Sequence, residues 1–599
     1  MQVLGPPVHA RNALLLVCIA AAVCLAQPAA WPGSDPPPPV ILISIDTLRA
    51  DHVGAYGYIR IHTPNIDSYA QPGTLFTAVD AQVPLTLPSH ASLFTSTYPF
   101  ENRIEENAQP VPPGAVTLAS VLHSQGYKTA AFIGSVFLER QMGLDQGFDL
   151  YDSPFSFDAF SPLSGSMFFI GDAANRYAVR DRRPAALVVR AAERWLSAQP
   201  GQPVFVFVHL FDLHTPYAIP PGARSGGVSG YDAELEYVDR ELGWFKRALV
   251  QSGWWDRSLV VLLSDHGEGL DQHGEATHGY FLYQSTLAVP LLVHWPAPAP
   301  ARSRPPRVAL NAGLIDVAPT ILDLLHVPAP RSFEGRSLVG EIDSAAPAPR
   351  AVYSQTLYTH DAFGWAPLRS LRLGAYKYID APRPELYNLQ SDPRELNNLL
   401  GSAPVHAAAE AKRLRGQLIE LLARKPPAAP TPPPGIAPAT RALLTSLGYL
   451  AAAPRPDAGH AGNAGRASHV DHAGADPKDR LPEIHLYENA NLLLAERRFD
   501  AAASILRAVL VRDPHNTLAR RDLGLCHLAR GNYSAARTCF QQALAAAPRD
   551  FLTRFQLGIA EEHLGLYKAA LEDISEACKI APQAAACRTK IEQLKLETN

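Results

Sequence analysis

The chain has 599 residues, of which 47% are apolar, and a net charge of −4 from 53 basic and 57 acidic side chains. That length and composition exclude a disordered chain and a single small domain, and call for several globular domains with large cores. A near-neutral balance without a long basic run excludes nucleic acid as a partner. The six cysteines are Cys18, Cys24, Cys526, Cys539, Cys578 and Cys587. The long middle of the chain therefore has no disulfide, thiolate metal ligand or cysteine nucleophile.

Arg11 precedes an apolar run from Ala13 to Ala26, followed by small residues, so residues 1–30 read as a secretory signal peptide. The run has 14 residues and is short for a membrane span, which takes about 20. An uncleaved N-terminal anchor is the alternative. The expected location is outside the cytoplasm, whether periplasmic, secreted or membrane-anchored. Residues 31–39 form a proline-rich spacer.

Val40–Ile45 is apolar on both faces and ends in Asp46, the pattern of a buried parallel strand with an acid at its carboxyl end. Similar runs occur at Thr129–Ile133, Val204–Val208, Ser258–Leu263 and Pro290–Val293, with helical patterns such as Ala185–Ser197 and Glu234–Gln251 between them. Strands alternating with helices predict an α/β domain with a largely parallel sheet flanked by helices. Ligands bind such sheets beyond the carboxyl ends of the strands. There the sequence offers Asp46, then His209, Asp212 and His214, then Ser264-Asp265-His266-Gly267-Glu268.

Between the first two of these groups, Val83–Leu93 carries Thr86 on a loop that runs into a helix, with Pro88 in the first turn. The free N–H groups of a helix start cradle an oxyanion such as phosphate or sulfate. Thr86 reads as a nucleophile; capping of the helix by Thr86 or Ser89 is the bland alternative. Asp46, Thr86, Asp265 and His266 can be assembled around one divalent cation, Zn, Mn, Mg or Ca, and the imidazole favours Zn or Mn over Ca. Such an ion lowers the pKa of the Thr86 hydroxyl and polarises an ester oxygen.

Taken in order, Ile43–Asp51, His62–Asp67, Pro88–Leu93, Ser264–Glu268, Asp316–Thr320, Glu334–Leu338 and Glu385–Leu389 resemble sulfatases of the alkaline phosphatase superfamily. The resemblance spans about residues 40–400 and implies an alkaline-phosphatase-like fold and a metal-dependent hydrolase of sulfate or phosphate esters. Thr86-Leu87-Pro88-Ser89-His90 stands where sulfatases carry Cys-x-Pro-Ser-Arg. Threonine cannot be converted to formylglycine, so the aldehyde-hydrate mechanism does not carry over. Asp46-Thr47 replaces the paired aspartates, and Gly134-Ser135-Val136-Phe137 replaces a Gly-Lys-x-His segment, removing the basic clamp on sulfate. The remaining set is similar to the threonine-nucleophile branches of the superfamily, which implies phosphoryl chemistry as an equal expectation. A transferase passing a substituted phosphoryl group to a glycan or lipid through phosphothreonine is one alternative. An inactive sulfatase-like scaffold is the other.

The same resemblance makes His214 a general acid or charge clamp and places His90 at the nucleophile or the anion. His278 and Lys377 become substrate-binding candidates, Lys377 with a structural role as its alternative. Asp212, His214 and His278 are candidates for a second ion.

The catalytic domain is expected over residues 40–424, and residues 425–482 have the Ala, Pro and Gly composition of a linker. Beyond it Pro514, Pro548 and Pro582 are spaced by 34 residues, as are Gly524 and Gly558, Gly531 and Gly565, and Tyr533 and Tyr567. This period resembles the tetratricopeptide repeat. Residues 483–599 are thus expected to hold three helix-turn-helix units and a terminal helix, with a concave surface for a protein or peptide partner.

Overall fold

The computed structural model describes residues 37–71, 73–107, 109–155, 182–217, 229–297, 307–342, 349–402, 405–424, 474–548, 550–580 and 585–598. Strand β1 (Val40–Ile45) is apolar throughout because both its faces are covered. Val40 and Leu42 belong to one buried cluster, and Ile41, Ile43 and Ile45 to another on the opposite side of the sheet. Further strands follow as β2 (Gly73–Asp80), β3 (Lys128–Phe132), β4 (Leu150–Asp152), β5 (Val204–Leu210), β6 (Leu259–Leu263), β7 (Ala288–His294) and β8 (Arg307–Gly313). They form one eight-stranded sheet in the order β4-β3-β5-β1-β6-β7-β2-β8.

β1, β3, β4, β5 and β6 are parallel, and β7 runs against both of its neighbours. The sheet is therefore mixed, and the Pro290–Val293 run lies in its reversed strand. β2, β4 and β8 have no counterpart among the strands read from the sequence.

Helix α1 (Thr86–Thr95) is buried along its whole length, with Phe94 edge-on to Phe207 at 4.9 Å. On the opposite face lie α2 (Ala185–Ser197) and the longer α3 (Gly230–Gln251), which starts four residues earlier than the sequence pattern suggests because the Ser229 hydroxyl accepts the Asp232 N–H. A second, antiparallel sheet of four strands, β9 (Ala351–Thr356) to β12 (Glu385–Asn388), packs under α4 (Val405–Leu422).

The helical region starts at α5 (Leu481–Ala495), two residues before the expected boundary. It continues as α6 (Phe499–Arg512), α7 (Thr517–Ala529), α8 (Tyr533–Ala546), α9 (Phe551–His563), α10 (Tyr567–Ile580) and α11 (Ala585–Thr598). The repeated glycines sit where paired helices touch. A Cβ on Gly524 would meet the Phe540 ring at 2.6 Å, and one on Gly558 would meet Ile574 at 2.4 Å. The first repeat helix also packs on the α/β domain. Ile484 and Tyr487 share a core with Tyr280 and Phe363, and the Thr277 hydroxyl donates to Glu488 at 3.0 Å. The leader, residues 1–30, and residues 425–473 of the linker lie outside the described residues. Among the described residues no helix is long and apolar enough to cross a membrane.

Candidate active site

Three adjacent parallel strands, β5, β1 and β6, end on the same edge of the sheet. Their register sets Ser44 beside His209 on one side and Leu263 on the other. Asp46 continues β1, His209 is the sixth residue of β5, and Asp265-His266 continues β6. The start of α1 closes over this edge, because the Ser89 hydroxyl donates to the Asp265 carbonyl at 2.6 Å. Thr86 opens α1, and neither its hydroxyl nor that of Ser89 caps the helix, so the bland reading of this loop does not hold.

Asp46, Thr86, Asp265 and His266 are buried. Asp265 Oδ1 accepts the N–H groups of Thr47 at 3.3 Å and His266 at 2.9 Å, which leaves Oδ2 directed elsewhere without a partner. Thr47 reaches this position with φ 56°, the left-handed bend that ends β1. His266 Nδ1 meets the Gly267 carbonyl at 2.9 Å. A carbonyl only accepts, so Nδ1 carries the proton and Nε2 presents a lone pair. That nitrogen lies 3.5 Å from Asp265 Oδ2 and has no hydrogen-bond partner. Gly267 is required by close packing, since a Cβ there would fall 2.2 Å from the Ser285 carbonyl oxygen.

Both oxygens of Asp46 are also orphaned. Burial pushes its pKa up to about 6, and His266, Asp265 and the Thr86 hydroxyl offset that rise without forming well-aligned bonds. Asp265 is raised by burial and by the neighbouring Asp46. Leaving such groups unsatisfied costs about 1–3 kcal/mol each, and more if they are charged. A divalent cation removes that cost, and Asp46, Asp265 and His266 offer donor atoms within 4.8 Å of one another.

His90 is brought to the same place. Its Nδ1 donates to the Thr86 carbonyl at 2.7 Å and, in the neutral ring, Nε2 accepts from the Ser44 hydroxyl at 2.9 Å. Burial holds its pKa down at about 4, so it is a neutral strut between β1 and the Thr86 backbone. His214 lies over Phe211 at 4.5 Å and donates Nδ1–H to the Thr215 carbonyl at 2.7 Å. Its ring is 5.0 Å from that of His278, which is 4.4 Å from His266. His278 Nδ1 lies 3.0 Å from Glu268 Oε1. Burial raises Glu268 to about 8 and lowers His278 to about 4, so the pair holds one proton on the carboxyl at neutral pH. Phe137 faces His214 at 6.4 Å, an aromatic wall in the altered Gly134–Phe137 segment.

Two expected placements differ. Asp212 gives both oxygens to the Ala185 N–H at the start of α2, at 3.1 and 3.0 Å, so the Asp212, His214 and His278 set for a second ion is not assembled. Lys377 is buried between the Leu282 carbonyl and Glu395 Oε1, the latter at 2.8 Å, and neither partner belongs to the cluster. Removing one member of a buried ion pair costs about 3–5 kcal/mol. Lys377→Met is expected to lower unfolding free energy by that amount in denaturant titrations, and Glu395→Gln in the same chain to recover part of it. An unchanged midpoint would restore a role for Lys377 at the substrate.

The sequence places His209 and Glu268 among the polar residues at this edge but assigns neither an individual role. His209 sits inside β5 rather than after it, and the available signal is period two, because Phe205, Phe207 and His209 share the α1 face.

Residues 38–327 match the sulfatase family, residues 275–424 match N-sulphoglucosamine sulphohydrolase, C-terminal, and residues 493–556 match a tetratricopeptide repeat. The chain is 24% identical over 489 residues to N-acetylglucosamine-6-O-sulfatase of Bacteroides thetaiotaomicron, covering 64% of this chain and 85% of that protein. It is 25% identical over 433 residues to steryl-sulfatase of Mus musculus, covering 55% and 68%. The fold is shared with the phosphonate monoester hydrolase of Agrobacterium radiobacter, at a TM-score of 0.53 and 21% identity over 64% of this chain and 95% of that one. Residues 38–424 thus form a domain of the sulfatase family, ester hydrolases of the alkaline phosphatase superfamily, and the chain continues into tetratricopeptide repeats.

Proposed function

We propose that the chain hydrolyses sulfate or phosphate esters with Thr86 as the nucleophile and a divalent cation on Asp46, Thr86, Asp265 and His266. The observation that carries this reading is the convergence of orphaned buried atoms, Asp46 Oδ1 and Oδ2, Asp265 Oδ2 and His266 Nε2, beside a hydroxyl that caps nothing. A bound cation supplies Lewis acidity, lowering the Thr86 pKa and neutralising charge on the ester oxygens.

The residues divide the remaining work. Thr86 Oγ1 bonds to phosphorus or sulfur as the bond to the ester oxygen breaks, and its proton passes to Asp46. The departing alkoxide takes a proton from His278 Nε2 while Glu268 returns one to Nδ1. In the second half water attacks the same centre, the Thr86 oxygen leaves and recovers the Asp46 proton, and the water proton resets the Glu268–His278 pair. His214 orients the ester oxygens, and His90 fixes the Thr86 backbone. The repeats recruit a protein or peptide partner, and the N-terminal segment directs export.

The test is turnover of aryl phosphate, aryl phosphodiester and aryl sulfate by purified protein, with chelator and after metal is restored. Metal-dependent hydrolysis of at least one ester is expected. Inactivity on all three sinks the reading, whereas turnover only with an added alcohol identifies a transferase.

A further inference from the structure

We infer that His209 is an additional ligand of the metal centre, so that two carboxylates and two imidazoles join the Thr86 oxygen around an ion of the zinc, manganese or cobalt kind rather than calcium. The inference rests on the cation site proposed above and adds a residue and a metal class to it.

His209 is fully buried, and neither of its ring nitrogens has a hydrogen-bond partner. A histidine kept for packing meets a carbonyl or hydroxyl, as His90 does on both sides. Nε2 of His209 lies 3.4 Å from Asp46 Oδ2, matching the 3.5 Å between His266 Nε2 and Asp265 Oδ2. Two neighbouring donors at about 2.0–2.2 Å from one ion stand about 3–3.6 Å apart. Asp265 joins the two pairs, since it shares one group of donors with His209 and another with Asp46 and His266, and Asp46 Oδ2, Asp265 Oδ2, His209 Nε2 and His266 Nε2 all lack hydrogen-bond partners.

The ring is also held in place. Its backbone is locked in β5 opposite Ser44, and the rings of Phe207 and Phe211 flank it at 6.2 Å each. His90, His209 and Asp265 form another group of donors within 4.8 Å. His90 has both nitrogens engaged, so that group is not a second centre, and His209 is left facing Asp265 and, at 3.4 Å, Asp46 Oδ2. Imidazole favours borderline transition ions, whereas calcium takes six to eight oxygens in a flexible cage.

The test compares the wild type, His209→Ala, His209→Gln and Asp46→Ala, each stripped with chelator, refilled with Co2+ or Zn2+ and dialysed. Metal content, affinity and the Co2+ visible spectrum are read, together with the melting temperature of each stripped protein. The wild type is expected to retain one ion per chain and to prefer Zn2+ to Ca2+. His209→Ala is expected to bind at least tenfold more weakly with a changed Co2+ spectrum, and to melt, when stripped, no lower than the wild type. His209→Gln supplies the same readouts if the alanine variant fails to fold. Wild-type affinity and spectrum in a folded His209 variant would overturn the inference and leave the proposed cation site standing. A wild type that retains no ion would overturn both, and Asp46→Ala shows what loss of the site itself looks like.

Discussion

Thr86→Ala is expected to lose at least about 10⁴-fold in turnover of any ester the wild type hydrolyses, since removal of a nucleophile leaves only binding and charge stabilisation. The fold should be nearly unaffected. Thr86 makes no capping bond at the start of α1, and that helix is held instead by the Ser89 hydroxyl on the Asp265 carbonyl and by the Leu87 N–H on Asn107 Oδ1 at 2.9 Å. Thr86→Ser keeps the reacting oxygen and loses one methyl group, so it should retain measurable turnover and the same metal dependence. A matched pair of thermal melts and rate measurements separates loss of chemistry from loss of structure. Full metal-dependent activity in Thr86→Ala would remove the nucleophile assignment and leave the cation site to be explained differently.

Asp46→Asn is expected to move function and stability in opposite directions. In the metal-free protein burial raises the Asp46 pKa from 3.8 to about 6. The folded state then binds the proton more tightly than the unfolded chain. Its contribution is fully present below pH 3.8, declines as pH rises towards about 6, and is lost above it. At pH 7 the ionised carboxylate therefore destabilises the stripped protein by about 1–3 kcal/mol, and the neutral amide relieves that cost. Asparagine should stabilise the chelator-treated protein at pH 7 and change little at pH 4. With metal restored the order reverses, because asparagine is a weaker ligand and the wild type gains binding free energy. Denaturant titrations at both pH values, with and without metal, read all four corners. Equal stability of the two stripped proteins at pH 7 would mean that Asp46 is satisfied by something other than an ion.

The residues of the proposed cation set other than Thr86 were legible in the sequence because they sit at the ends of apolar runs. Asp46 after Val40–Ile45 and Asp265-His266 after Leu259–Leu263 are placed by the rule that parallel strands deliver their carboxyl ends to one edge. His209 was legible only as one of several polar residues at that edge, with no individual role. It looked like the first polar residue after a strand, but β5 extends through Leu210 and carries it on the α1 face opposite Ser44. Asp212 misled in the other direction, since an acid two residues before His214 resembles a ligand pair until the start of α2 approaches and takes both of its oxygens. Lys377 likewise has a buried carboxylate partner from Glu395, which no local pattern announces.

The sequence by itself determined the α/β class, a helix with Pro88 in its first turn just after Thr86, the replacement of cysteine by threonine, and the 34-residue period of the helical region. Each depends on residue identity or on local periodicity, which the chain carries without folding. Only the tertiary structure decided that β7 is reversed, that Glu268 pairs with His278, and which buried polar atoms remain without partners. Those depend on strand order and on desolvation by residues remote in sequence, and neither exists until the sheet has closed around Asp46.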